Sequence, residues 1–203
     1  MLFRSCPILS MSRLTDSDEQ LANTEGPLTA GVTVKVVTIE GAVVGRGQEG
    51  EIRVKGPQLC LGYTDPELDA HGFDEEGYFR TGDLGIVDAD GYVTITGRLK
   101  DVIIRKGENI SAKEVEDLLF THPAIADVAV IGLPDPASGE RACAVVVVEE
   151  GHDAPTLEEV FAFCKEAGLM TMKIPEQIEI LPVLPRNPTG KVLKHELRKQ
   201  YGE

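Results

Sequence analysis

The stretch GRLKDVIIRKGENI, Gly97–Ile110, marks the point at which the chain changes character. Before it, alternating β-branched segments such as Val32–Ile39, joined by glycine-rich connections, predict strands and hairpins. After it, strand patterns alternate with helix patterns, and the unbroken apolar run Ala142–Val148 predicts a buried central strand. We therefore predict an α+β chain that divides into a β-rich region, residues 1–97, and a small α+β region, residues 98–203.

Three helices are predicted in the second region. Ser111 with Glu114, and Thr156 with Glu159, match the capping box, in which two side chains satisfy backbone N–H groups at a helix start. A short last helix is predicted at Lys194–Gln200. The buried stripe of the middle helix is predicted to consist of Val160, Phe161, Phe163 and Cys164.

Composition excludes several classes of function. The chain has 203 residues, 42% of them hydrophobic, and a formal charge of −14, so it lacks the basic footprint of a nucleic-acid-binding protein. It contains no apolar run long enough for a transmembrane helix. The cysteines are scattered without metal-ligand spacing, so we expect no metal site, reduced thiols and a cytoplasmic location. They are Cys6, Cys60, Cys143 and Cys164.

Three segments combine glycine with ionic residues in loops or at strand ends: Gly77–Gly85, Gly97–Ile110 and Pro185–Lys194. In the first, the Asp83 carboxylate could accept from two vicinal hydroxyls, as a ribose offers, or could cap its own turn. In the third, Lys191 could place a positive charge beside a phosphate, or be an ordinary solvated lysine. The residues alone leave both alternatives open.

Read together, the three segments resemble the late motifs of acyl-CoA synthetases in the AMP-binding, adenylate-forming superfamily. These motifs are written YRTGDL, GRxKDxIxxxGxxI and PxTGKxxK, and all three stand here in order. Three ordered motifs are far more specific than one. The resemblance implies that residues 1–97 are the last, β-rich part of a truncated large domain. Residues 98–203 would be the small C-terminal domain.

The resemblance also implies roles for individual residues. Asp83 and Arg98 would bind the ribose of the adenylate. Lys191 would be the catalytic residue of the adenylation step. Lys100 would be the hinge about which the small domain changes orientation.

A predicted turn at Lys106–Asn109 carries the remaining candidates. In the family this loop lines the pantetheine tunnel during thioester formation. The resemblance therefore implies that Lys106 is catalytic in that step, and that Lys106 and Gly107 both line the tunnel. A solvated turn is the alternative that the residues themselves leave open.

The family reaction joins a carboxylate to ATP, releases pyrophosphate and passes the acyl group from AMP to CoA. ATP, CoA and Mg²⁺ are the implied cofactors, and a small carboxylic acid, of the fatty-acid kind or another, is the substrate. The family's phosphate loop and acyl pocket are missing here, and the Mg²⁺ site is expected in the same missing N-terminal part. We therefore expect this fragment to be inactive alone.

Two further expectations concern the extent of the chain. A non-catalytic lid or regulatory module that docks on a separate adenylating domain is the alternative to a ligase fragment. An in-frame phosphate loop upstream in the gene would favour the ligase. Met1–Ser5 stands where the family's YGxTE motif should end, so we hypothesise that these first residues are foreign.

Overall fold

The computed structural model describes residues 8–202. The hypothesis on Met1–Ser5 and the expectation for Cys6 fall outside these residues. The chain forms two compact units that divide between Lys100 and Asp101. Each unit has its own sheet and its own apolar clusters, and the fold class is α+β, as predicted. None of the described helices is both long enough and apolar enough to cross a bilayer.

The first unit is built mainly from strands. Its elements are α1 (Asp18–Asn23), β1 (Thr33–Val37), β2 (Val43–Val44), β3 (Glu49–Lys55), α2 (Pro66–Gly72), β4 (Phe79–Val87) and β5 (Val93–Arg98).

These five strands form one antiparallel sheet in the order β2-β1-β3-β4-β5. Ile52 and Val54, two positions apart on β3, are both buried, whereas Arg53 between them is only partly buried, because successive side chains of a strand point to opposite faces. Val36, Ile52, Val87 and Val93 make one apolar cluster of the unit. Val32, Val54 and Phe79 make a second.

A 3-10 turn, Leu99–Asp101, follows β5. The second unit then contains β6 (Val102–Arg105), β7 (Glu108–Ser111), α3 (Ala112–Leu119), β8 (Ile125–Asp135), β9 (Gly139–Val148), α4 (Leu157–Glu166), a 3-10 turn (Thr171–Lys173), β10 (Gln177–Ile180) and α5 (Lys194–Tyr201).

Strand β9 is the centre of the second unit, as its unbroken apolar run predicts. It pairs with β8 in antiparallel and with β10 in parallel orientation, and the β6–β7 hairpin joins it through Arg105 and Gly139. Its residues alternate between two clusters. Ala144 lies in a cluster with residues of α3 and α4, and Val145 lies in one with Leu197 of α5. Helices therefore cover both faces of this strand, which explains its apolar sequence.

The helix starts follow the sequence signals closely. Thr156 and Glu159 form the complete capping box of α4. Ser111 Oγ accepts from Glu114 N at the start of α3, while the Glu114 carboxylate binds Lys173 Nζ at 2.7 Å. The capping box predicted for α3 is therefore only half formed, because both Glu114 carboxylate oxygens bind Lys173 Nζ.

Two local predictions are wrong. The turn predicted at Lys106–Asn109 is only two residues long, because Glu108–Ser111 continues as strand β7, paired with β6. Phe161, predicted to belong to the buried stripe of α4, is 37% exposed, whereas Val160 and Cys164 are buried. Phe161 follows Val160 directly, and adjacent helical residues do not share one face.

Candidate nucleotide site and lysine-bearing turns

Asp83 and Arg98 lie opposite each other on two neighbouring strands. Their Cα atoms are register partners of β4 and β5, and Arg98 Nε lies 3.0 Å from Asp83 Oδ1. The side chains are 35% and 44% exposed. They border an open pocket of about 410 Å³ that also includes Thr81, Gly82 and Lys100. The structure thus brings the two predicted ribose-binding residues together at a pocket.

A bulge in β4 carries Asp83 to this position. Arg53 of β3 is paired with Arg80 and Glu51 is paired with Leu84, so residues 81–83 of β4 face the single residue Ile52. A bulge bends its strand and re-aims the side chains that it carries. Gly82, within the bulge, has φ +70°, a conformation that glycine adopts without a Cβ penalty.

Hydrogen bonds from side chains hold the bulge. Thr81 Oγ1 donates to Ile52 O at 2.6 Å and accepts from Asp83 N at 3.0 Å. Gly82 N donates to Glu51 Oε1 at 3.1 Å. These side chains replace part of the strand ladder that the extra residues interrupt.

An ionic network lies behind the bulge. Glu51 Oε2 accepts from Arg53 Nε at 2.8 Å, and Asp74 lies 3.4 Å from Arg53 and 2.9 Å from Lys35 Nζ. Burial by itself raises the pKa of Asp74. Hydrogen bonds from Lys35 and from Tyr78 N, together with the two positive charges, outweigh burial and lower this pKa to about 2. Asp74 is therefore ionised throughout the physiological range.

Lys100, the predicted hinge residue, is exposed in the 3-10 turn at the boundary of the two units. Among residues 8–202, no carboxylate forms an ion pair with it. Arg98, two residues before Lys100, pairs with Asp83. Asp101, directly after Lys100, pairs with Arg198 at 3.1 Å. The backbone at Lys100 thus lies between two anchored positions.

Lys106 and Gly107 form the tight turn of the β6–β7 hairpin. Their φ values are +51° and +83°, the pair of left-handed residues typical of a type I′ turn. A Cβ at Gly107 would meet nothing within 4 Å, so glycine serves the backbone conformation here rather than any internal packing. Lys106 N donates to Ser138 O at 2.7 Å, while its side chain is exposed.

Lys191 ends a compact loop that precedes α5. Asn187 Oδ1 accepts from Thr189 N and from Lys191 N, at 3.1 and 2.9 Å, and Gly190 has φ +83°. Isolated bridge pairing between Arg186 and Val192 closes the loop. The Lys191 side chain is exposed, and within the described part of the chain no carboxylate forms an ion pair with it.

Sequence reasoning missed the residues that anchor this loop. Arg186 lies 2.6 Å from Asp127 of β8, and Lys194 Nζ lies 2.7 Å from Glu116 of α3. The same Glu116 oxygen accepts from Val130 N at 2.7 Å. No local signal in Pro185–Lys194 predicted these contacts, because the partners are remote in sequence.

The candidates therefore fall into two groups. Asp83, Arg98 and Lys100 belong to the first unit, and the Lys106–Gly107 turn and Lys191 belong to the second. Within residues 8–202, no three or more His, Cys, Asp or Glu side chains are grouped as a metal-binding cluster. Asp83 and Arg98 do fit a ribose, because an acceptor and a donor lie together at an open pocket.

Comparison with known proteins shows which proteins the chain resembles. Residues 114–191 match the AMP-binding enzyme C-terminal domain. The medium-chain fatty-acid–CoA ligase of Escherichia coli is 45% identical over 187 residues, which is 92% of this chain and 33% of the ligase. The salicyl-AMP ligase / salicyl-S-ArCP synthetase of Mycobacterium tuberculosis is 39% identical over 198 residues, covering 96% of this chain and 34% of that protein.

A solved structure extends the likeness to the fold. ATP-bound MatB from Rhodopseudomonas palustris superimposes with a TM-score of 0.82 at 37% identity, covering 89% of this chain and 36% of MatB. The chain spans about a third of the length of the curated relatives that it matches. The motifs, the fold and these relatives together identify the chain as a member of the AMP-binding, adenylate-forming enzyme superfamily.

Proposed function

We propose that this chain is part of an ATP-dependent, AMP-forming acid–CoA ligase and contributes its ribose-binding pair and its small mobile domain. One observation carries the proposal: Asp83 and Arg98 are 3.0 Å apart at an open pocket, at matching positions of two paired strands. A carboxylate and a guanidinium held in this way offer an acceptor and donors to the two hydroxyls of a ribose.

The reaction proceeds in two steps. First, a carboxylate oxygen attacks the α-phosphorus of ATP, pyrophosphate leaves, and an acyl-adenylate forms. Then the CoA sulfur attacks the acyl carbon, the thiol proton is lost, and AMP leaves. Asp83 and Arg98 hold the ribose through both steps. Lys191 places its ammonium at the negative charge that develops in the first step.

Lys106 and Gly107 act in the second step, in our proposal. Their turn is short, exposed and free of internal packing at Gly107, so it can approach a narrow ligand such as pantetheine. Lys100 lies at the boundary between the units, where a few backbone torsions would change the orientation of the second unit. The two lysines would then be brought to the adenylate in turn.

CoA as acceptor and a fatty acid as substrate are the choices that we favour. The support is the 45% identity to a protein named as a medium-chain fatty-acid–CoA ligase. Other relatives are named as ligases of aromatic acids, such as salicylate, so the acid itself depends on residues outside this chain. We also propose a cytoplasmic location, in keeping with the free thiols of Cys60, Cys143 and Cys164.

We expect the 203 residues alone not to catalyse the reaction, since they span about a third of their relatives. We expect Mg²⁺ and the triphosphate to be bound by residues that complete the enzyme. Phosphoryl-type chemistry depends almost entirely on such positioning. Measurable ATP–pyrophosphate exchange by the purified chain would contradict this part of the proposal.

A chimera tests the proposal as a whole. This chain would replace the aligned segment of the E. coli ligase, and the chimera should form acyl-CoA from ATP, CoA and a medium-chain acid. Asp83→Asn should raise the KM for ATP about tenfold, the loss expected for one hydrogen bond to a charged group. Asp90→Asn, in the exposed turn before β5, is the matched control and should leave this KM unchanged. Equal KM values in the two variants would exclude Asp83 as a nucleotide contact. A chimera that folds but stays inactive would favour a non-catalytic module.

A further inference from the structure

We infer that Glu51 is a positioning residue of the nucleotide site: its carboxylate holds the Gly82 amide and thereby fixes the bulge that presents Asp83 to the ribose. The inference rests on the proposed role of Asp83. It adds a residue of β3 that has no contact with the pocket itself.

The burial of Glu51 calls for an explanation. Its residue exposure is 5%, and it is the one acidic or basic residue classed as buried in the described part of the chain. Burying a charge is costly unless the charge is both paired and hydrogen-bonded. A glutamate at this depth in a small sheet therefore implies a specific task for each of its oxygens.

Both oxygens have a partner. Oε1 accepts from Gly82 N at 3.1 Å, and Oε2 accepts from Arg53 Nε at 2.8 Å. The first contact reaches the bulge, and the second ties the carboxylate to its own strand. Glu51 thus connects the regular part of the sheet to the irregular part.

The bulge requires such a connection. Residues 81–83 face only Ile52, so they are one place where the β3–β4 ladder is interrupted. Glu51 supplies the acceptor for Gly82 N, and the Thr81 hydroxyl supplies the acceptor for Asp83 N at 3.0 Å. The backbone amides of Gly82 and Asp83 are therefore held by side chains rather than by the ladder.

The ionic network fixes the orientation of Glu51 in turn. Arg53, which holds Oε2, also lies 3.4 Å from Asp74, and Asp74 lies 2.9 Å from Lys35. A carboxylate held at both oxygens cannot rotate to another partner. Because Gly82 directly precedes Asp83, loss of the Gly82 contact would release Asp83 from its alignment with Arg98.

The test uses the 203-residue chain and two nucleotide probes, AMP and 2′,3′-dideoxy-AMP. NMR titration gives the Kd of each, and their ratio measures recognition of the ribose hydroxyls. Hydrogen exchange at Gly82 N reports the contact with Glu51. Val93 N of the first unit, which donates to Gly26 O, and Ile103 of the second unit are the references for folding. Glu51→Gln keeps the volume but offers one acceptor for two donors, and Glu51→Ala removes both. Glu49→Gln, exposed on the same strand, is the matched control.

The wild-type chain and Glu49→Gln should prefer AMP about tenfold, as one charged hydrogen bond predicts. Glu51→Gln should bring the ratio of the two Kd values towards one and speed exchange at Gly82, while Val93 and Ile103 exchange as before. A structural role of Glu51 unconnected with the site would leave the ratio unchanged. Glu51→Ala should show the larger effect of the two.

The possible failures are distinguishable. If the wild-type chain binds both nucleotides equally, the proposed ribose contact is wrong. In that case exchange at Gly82 still decides whether Glu51 braces the bulge. If the wild-type chain prefers AMP and Glu51→Ala keeps both that preference and a protected Gly82, the inference about Glu51 is overturned and the ribose contact stands.

Discussion

The Asp83–Arg98 pair, which we propose binds the ribose, and the two lysine-bearing turns are built in opposite ways. Asp83 and Arg98 are paired with each other, and a bulge braced by Glu51 and Thr81 carries the carboxylate. Lys106 and Lys191 stand exposed on short turns, and no carboxylate among residues 8–202 pairs with either. In our proposal, the paired residues are a pre-formed nucleotide contact, and the two exposed lysines are cations that meet a charge supplied by the ligand.

The exposed lysines nevertheless stand on firm backbones. The Lys191 loop is anchored at both ends, through Arg186 to Asp127 and through Lys194 to Glu116. In this loop, only the end of the Lys191 side chain is therefore free to move. A lysine held in this way loses little backbone entropy when it engages a phosphate.

The largest expected effect concerns Lys191. In the chimera, Lys191→Ala should slow acyl-adenylate formation by roughly 10²–10³, the range measured for removal of one preorganised charge-stabilising donor. ATP–pyrophosphate exchange measures this step. Lys199→Ala, an exposed lysine of α5, is the control and should leave exchange unchanged. Loss of activity in both variants would mean that general surface charge, not Lys191, matters.

A smaller effect is expected at Lys100. Proline fixes φ near −65°, so Lys100→Pro should restrict rotation at the boundary between the units. The overall rate should fall by about tenfold or more, while one half-reaction measured separately stays largely intact. Lys100→Ala keeps the torsional freedom and should be nearly as active as the wild type. A proline variant as active as the alanine variant would show that Lys100 is not the hinge.

The ionic network should give the first unit a distinctive response to acid. The pKa of Asp74 is about 2 in the fold against a model-peptide value of 3.8, so the folded state favours the ionised form. This stability is present above about pH 4 and is lost as the pH falls towards 2. Urea unfolding followed at Tyr78 should show Asp74→Asn less stable by about 2 kcal/mol at pH 7, with the difference shrinking below pH 4. A constant difference would show that Asp74 is not the group that titrates.

The smallest effect is expected at Gly107. Gly107→Ala adds a Cβ that meets nothing, so only the left-handed backbone, φ +83°, is penalised. The free energy of unfolding should fall by about 1 kcal/mol, and Gly107→Asn should lose less because asparagine tolerates this region better. Equal losses would point to a requirement for glycine other than its φ. Thermal unfolding of the 203-residue chain measures both.

The sequence predicted those features that depend on local pattern. The apolar run of β9 and the capping box of α4 were accessible from residue type and motif spacing, and the resemblance linked Asp83 and Arg98 through one predicted role. It did not predict contacts between residues remote along the chain. Glu51 with Gly82, and Lys194 with Glu116, arise only when strands and helices are assembled.

The local errors have a similar cause. Glu108 and Asn109 were predicted to belong to a turn, but pairing with β6 makes them part of a strand, since edge pairing overrides weak local propensity. Phe161 looked like a core residue by composition, yet its position on α4 leaves it partly in solvent. Propensity thus identified most elements, while packing determined their ends and faces.

The central claim is that two lysines on separate turns serve separate steps over one nucleotide contact. The direct test measures both half-reactions in Lys191→Ala and Lys106→Ala chimeras. Alanine and lysine pay a similar penalty at the φ of +51° found at residue 106, so that variant removes the lysine side chain beyond Cβ without changing the backbone penalty. Lys191→Ala should lose adenylation and still convert supplied acyl-AMP and CoA to the thioester, while Lys106→Ala should show the reverse. Equal loss of both half-reactions in both variants would contradict the account.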